Sequence, residues 1–203
     1  MNFAKLILMV RFLRYIAILV LLQFFSCSTF GTKKSYKLDP EFKTFFNFNN
    51  GSKWKYSLST DTTFVETVEL AGHKEGKMVW DEFTQEFFEY DFISNTDSLF
   101  KLRAVADDGT VSNATFLAKD TGFKTVAEWV YSSGKYTSLS GNNDTLNLLK
   151  QFTVRGVTYP DVLEIIPARK TLYKKFFWAR HIGIIRKEST KGKIYLLNSF
   201  TVQ

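Results

Sequence analysis

Cysteine, histidine and proline are scarce in this 203-residue chain: one Cys, two His and three Pro. One cysteine excludes an intramolecular disulfide framework, and with two histidines it leaves too few ligands for a protein zinc site. No apolar run reaches the roughly 20 residues of a membrane-spanning helix. Hydrophobic residues make up 45% and charged residues 23%, values that exclude wholesale disorder and a polytopic membrane protein. Helical patterning is sparse, no internal repeat is evident, and no linker divides residues 39–203. What the chain has in excess is aromatic: 21 Phe, 9 Tyr and 4 Trp, 17% in all.

The N-terminus reads as an address. Lys5, Arg11 and Arg14 precede an apolar core running from Tyr15 to Phe25 with Gln23 as its one polar interruption. Charge followed by about 7–15 apolar residues is the layout of a secretory signal. Behind the core stands Ser26-Cys27, and Cys27 is the only cysteine. A small residue before such a cysteine resembles the lipobox cut by the lipoprotein signal peptidase, in the relaxed, Phe-rich form of Bacteroidota. The alternative is a plain signal peptide or uncleaved anchor with an incidental Cys. Residues 1–26 are thus expected to be a lipoprotein signal peptide, 27–38 a lipidated Cys27 with its tether, and 39–203 one domain. Two or three acyl chains on Cys27 (a palmitate-type modification) give lasting attachment where one is marginal. No acidic run follows Cys27, which favours the periplasmic side of the outer membrane. Loss of the leader removes three basic residues and leaves a net charge of +4. An exported chain of that charge gives no support to a nucleic-acid role.

The remainder reads as all-β. Trp54, Tyr56 and Leu58 alternate with polar residues, as do Phe88, Tyr90 and Phe92, and Phe100, Leu102 and Ala104. Ile194, Leu196, Phe200 and Val202 are assigned to one face near the C-terminus. Period-two alternation of this kind puts apolar side chains on one face of a pleated strand. Turn chemistry falls between the runs, at 59–61, 72–76, 95–97, 107–109, 120–122, 132–134, 140–144, 155–156 and 190–192. The count predicts a single antiparallel meander of about ten strands, forming a curved sheet or half-barrel with at most one or two short helices. Asp39-Pro40-Glu41, with Phe42, Phe45 and Phe46 at helical spacing, predicts one of those helices. Leu146–Lys150 is read as strand.

Three stretches resemble a widespread group of Bacteroidota envelope lipoproteins. Phe46–Tyr56 is similar to the group's Gly-x-x-Trp-x-Tyr entry strand, and Phe152–Leu163 to its Gly-x-x-Tyr-x-Asp-Val hairpin. Phe176–Arg186 resembles its Tyr-Ala-Lys-Gly-Val-Gly-Leu-Val strand, with His181 where the first Gly is usual. The resemblance implies an envelope lipoprotein with a curved antiparallel sheet, and carries no catalytic residues.

Candidate chemistry is thin. Ser132-Ser133-Gly134-Lys135 has the Ser-x-x-Lys spacing of penicillin-binding enzymes, which needs a helix N-terminus; here it reads as a β-turn. His73 is placed in a Gly-flanked turn and His181 in a strand, without metal-ligand spacing, and no cofactor is expected. Thr62, Ser98 and Thr145 each follow an aspartate in a pattern resembling Bacteroidota O-glycosylation sites. Charge is segregated: residues 61–91 carry nine acids and two bases, and residues 169–193 nine bases and one acid. The second stretch offers Arg169, Lys170, Lys174, Lys175, Arg186 and Lys187 as a basic face for anionic lipid, unless the acidic stretch neutralises it within the fold. The expectation is a non-enzymatic, membrane-anchored envelope lipoprotein that binds a lipid-like ligand or an envelope partner. The alternatives are a structural or interaction subunit with a filled core, and a small periplasmic hydrolase.

Overall fold

The computed structural model describes residues 33–96, 99–108, 111–119, 123–139, 143–169 and 172–203, excluding the side chain of Phe123. Cys27, Ser98 and Lys170 lie outside the described residues. The compact unit spans Ser35–Gln203, so Leu38, assigned to the tether, belongs to it and is buried.

Among the described residues thirteen strands form the fold, more than the ten expected. They are β1 (Lys34–Tyr36), β2 (Lys53–Leu58), β3 (Val65–Val79), β4 (Phe83–Ser94), β5 (Leu99–Ala106), β6 (Ser112–Lys119) and β7 (Phe123–Ser132). The second half supplies β8 (Lys135–Ser138), β9 (Thr145–Val154), β10 (Val157–Ile166), β11 (Tyr173–Ala179), β12 (Gly183–Ser189) and β13 (Ile194–Thr201). All but β1 lie on one antiparallel path, β8-β7-β6-β5-β4-β3-β2-β13-β12-β11-β10-β9, and β1 pairs with β4. The sheet is curved and nearly closed into a barrel. Its closure is unusual in placement. The first long strand and the last, β2 and β13, are hydrogen-bonded along six residue pairs from Tyr195↔Leu58 to Thr201↔Lys53. The open seam therefore falls mid-chain, between β8 and β9.

Asp144 fastens that seam. Its carboxylate accepts the Glu128 N–H of β7 at 2.9 Å and the Ala168 N–H, just past β10, at 2.8 Å. Its own N–H donates to Ser138 Oγ of β8 at 3.0 Å. Asp144 is buried, and full hydrogen bonding is what makes a buried carboxylate tolerable.

Alternation works as expected on β2, β4 and β5, where Trp54, Tyr56, Phe88, Tyr90, Phe92, Phe100, Leu102 and Ala104 are all in the core. At the C-terminus it fails. A bulge between Leu197 and Ser199 breaks the period; Tyr195 and Leu197 join the interior while Phe200 remains 42% exposed. The expected turn at 72–76 is also absent. Those residues run through β3, where Gly72 and Gly76 admit the Asp91 side chain and the Phe87 ring of β4. His73 is accordingly a strand residue, its ring 4.7 Å from that of Tyr90. His181 is a turn residue, at φ 59 between β11 and β12. The stretch 176–186 is thus a hairpin, where one strand was expected. Arg155-Gly156, both at positive φ, form the two-residue turn that the β9–β10 hairpin requires.

The expected helix is present as α1 (Pro40–Lys43), capped by the Asp39 side chain on the Glu41 and Phe42 N–H groups. It stands inside the sheet as a plug, with Phe42, Phe45, Phe46 and Phe48 each at most 1% exposed. Phe46 touches rings from four directions: Phe42, Phe88, Trp129 and Trp178, at 4.9–6.1 Å between centroids.

Candidate functional site

The interior is where charge and aromatic rings converge, so it is the candidate site. Polar backbone groups of the plug find fixed partners on the β11–β12 hairpin. Trp178 Nε1 donates to Phe45 O at 2.8 Å, and His181 N–H to Thr44 O at 3.1 Å. Trp54 Nε1 donates to Ile182 O, and Tyr56 OH to Ile184 O at 2.7 Å. Gly183 sits at φ 97 with Trp54 Nε1 3.2 Å from where a Cβ would stand. Any side chain there would meet both backbone strain and a closed space. On its other flank the plug is tied by Glu86 of β4, which accepts from Leu38 N–H at 2.9 Å and from Lys43. Burial pushes the Glu86 carboxyl up, but the bonds from Lys43 and Leu38 outweigh it and hold the group below its ordinary value.

Between the plug and β12 the aromatic packing leaves a cavity of about 30 Å³, lined by Phe48, Trp54, Tyr56, Phe176, Trp178 and Lys187 among others. That is room for about two waters. Ligand pockets are usually about 300 Å³ or more.

Lys187 is the charged member of this lining. It is 3% exposed, and its Nζ lies 2.7 Å from Glu66 of β3, equally buried. Four rings surround the ammonium, those of Tyr56, Phe100, Tyr173 and Tyr195, at 4.8–5.3 Å from their centroids. Glu66 also accepts from Ser94 Oγ at 3.0 Å. Desolvation pushes the Lys187 pKa below its ordinary value, against the opposing pull of Glu66. The same burial, reinforced by the Glu66 charge, raises Tyr56 and Tyr173. The arrangement is a cation cage occupied by the chain's own amine.

This placement corrects the expectation that Lys187 belongs to an outward basic face. β12 pairs Lys187 with Phe176, which faces inward, and Arg186 with Phe177, which faces outward. The outer face is itself covered. The β9–β10 hairpin bends at Asp161, which has φ 47, and lays Phe152 flat on Phe177, centroids 4.1 Å apart. Arg155 at its turn reaches Ser57 Oγ of β2. Arg186 lies over the Phe152 and Phe177 rings and pairs with Glu188. Lys174 pairs with Glu188 at 3.4 Å, Lys175 with Glu164 at 2.8 Å and Arg169 with Glu128 at 3.1 Å. The acidic stretch 61–91 contributes Glu66, the partner of Lys187.

Other sequence candidates are dispersed. Ser132 and Lys135 face each other across a two-residue turn. Thr62 is exposed in the β2–β3 loop, beside an Asp61 carboxylate that holds the Thr63 hydroxyl and N–H. Thr145 is exposed at the start of β9. The interior pair was missed because Lys187 stands between Arg186 and Glu188 in a charged run, and Glu66 is a lone acid between Val65 and Thr67, so neither is marked as inward by its neighbours. The chain matches no known family model, no curated protein and no solved structure.

Proposed function

We propose that this chain is a membrane-anchored envelope lipoprotein without enzymatic activity, whose barrel serves as a structural or interaction module filled by its own side chains. One observation carries the filled-interior part: the Phe plug leaves about 30 Å³ beside Lys187, far below the space an acyl chain occupies. A non-enzymatic role is supported by the fate of the Ser-x-x-Lys spacing, which lies across a hairpin turn. The anchor rests on Ser26-Cys27 just behind the apolar core and on the resemblance to Bacteroidota lipoproteins, and the lack of an acidic run after Cys27 supports the outer membrane facing the periplasm. Thr62 and Thr145, both exposed, are open to O-glycosylation.

A second reading keeps a lipid-like ligand. It is favoured by the lining itself, nine aromatic residues with one amine, the kind of surface that receives an apolar molecule with a polar end.

The anchor is tested by metabolic labelling with a clickable palmitate analogue. The chain should take up label in the envelope, and Cys27→Ser should take up none. Label that survives Cys27→Ser contradicts the proposal.

A further inference from the structure

The β3–β4 hairpin extends as an arm beyond the closed part of the sheet. β2 pairs with β3 only as far as Glu69, yet β3 continues to Val79, paired there with β4 alone. β5 likewise joins β4 only from Phe87 onward. The tip carries Val79 and Trp80, 67% and 51% exposed. Trp80 stands 6.0 Å from Phe83, and Phe83 5.4 Å from Tyr36 of β1. We propose that this aromatic tip seats on the surface of the lipid bilayer that holds the anchor. The inference rests on the anchored-lipoprotein reading and extends it from a point of attachment to an orientation.

Three observations carry it. The first is tether length. Cys27 precedes Ser35, where the compact unit begins, by eight residues, at most roughly 29 Å of extended chain. From Ser35 the chain runs against the arm: Tyr36 meets Phe83, and Leu38 N–H is held by Glu86. The arm is therefore the first part of the fold a short tether reaches. Trp80 faces Phe83 across the turn, and Phe83 to Glu86 is three residues of β4, about 10 Å along the strand, well within the span of the tether.

The second is the chemistry of the tip. Trp and Tyr favour the bilayer interface because each has an apolar body and one polar atom. Trp80 Nε1 already donates to Gln85 Oε1 at 3.0 Å, so the ring can enter the headgroup layer without orphaning its N–H. The third is charge. Exposed Lys34 and Lys37 beside the arm and Lys77 on it stand against Asp81 and Glu82 in the turn, so the tip is close to neutral. Such a tip sits at headgroup depth, requires no anionic lipid and responds weakly to salt, unlike a polybasic patch.

Tryptophan fluorescence tests this on the full acylated chain in phosphatidylcholine vesicles that contain a lipid brominated near the glycerol end of its acyl chains. Trp54, Trp129 and Trp178 are at most 3% exposed, so quenching reports Trp80. The expected result is loss of up to about a quarter of the emission, one tryptophan in four, shielding of that fraction from iodide, and no bromolipid quenching in Trp80→Phe. If the chain floats with vesicles but its emission is untouched by bromolipid and open to iodide, the docking inference is overturned while the anchor stands. If the chain carries no acyl group and does not float, the anchor reading falls and the inference with it. Quenching that survives Trp80→Phe would place a different surface on the membrane and also overturn it.

Discussion

Glu66 and Lys187 form a buried ion pair enclosed by aromatic rings. Removing either partner leaves an uncompensated charge among aromatic rings, at a cost of about 3–5 kcal/mol, whereas replacing both with apolar residues of similar volume is often neutral or stabilising. Lys187→Met and Glu66→Leu alone should each lower stability by that amount in urea unfolding, and the double variant should recover most of it. Losses that simply add would show that the two groups act independently. Because burial lowers the Lys187 pKa, the unfolded chain binds this proton more tightly than the folded one. The wild type should therefore gain stability as pH rises between the depressed value and the ordinary 10.5 of the unfolded amine, a gain the double variant lacks. Lys187 could not be read from the sequence as an interior residue. Its neighbours Ile184, Ile185 and Arg186 show no alternation, and a register shift between Phe177 and Trp178 changes which residues of β12 face inward.

At the scale of elements, much of the fold was legible. Turn residues at 132–134, 155–156 and 190–192 and the alternating runs of β2, β4 and β5 were read correctly because local steric rules set them. So was α1, from its Asp39 cap and Pro40. The errors have a common physical source. Gly72 and Gly76 signal a turn by composition, but their role in β3 is close approach to Asp91 and Phe87. The turn that does end β3 runs through Trp80, Asp81 and Glu82, of which Asp81 is the one common turn former and no Gly or Pro marks the place. Long-range placement was invisible too: nothing local says that the Phe42–Phe48 stretch enters the barrel, or that β9–β10 folds over Phe177. The seam belongs to this scale, because β8 and β9 approach without a ladder and rely on Asp144. Asp144→Ala deletes two hydrogen bonds to a charged acceptor, each contributing about 1.5–3 kcal/mol. Hydrogen exchange should then quicken at the Glu128 and Ala168 amides, while the His181 amide, held by Thr44 in the plug, keeps its protection. Unchanged exchange at Glu128 and Ala168 would mean that the seam is held by something else.

At the scale of the whole molecule, charge that is segregated along the chain is partly paired in the fold. Of the nine cations in residues 169–193, Arg169, Lys174, Lys175, Arg180, Arg186 and Lys187 have acidic partners, Lys191 and Lys193 are exposed, and the expected basic face loses Lys187 to the interior. What remains for the membrane is the predicted lipid at Cys27 and the aromatic tip of the arm. The space beside the plug is small, about 30 Å³ next to Lys187 and about 60 Å³ between Phe46 and Glu86, because the chain's own N-terminal phenylalanines occupy the lumen. Native mass spectrometry of the chain purified from the envelope in detergent shows whether the barrel is filled by its own side chains. After the detergent is stripped, the account predicts the mass of the acylated polypeptide with nothing bound one-to-one. A stoichiometric, non-covalent lipid that survives stripping, and is lost from a variant in which Ile184→Phe narrows the cavity, would contradict it.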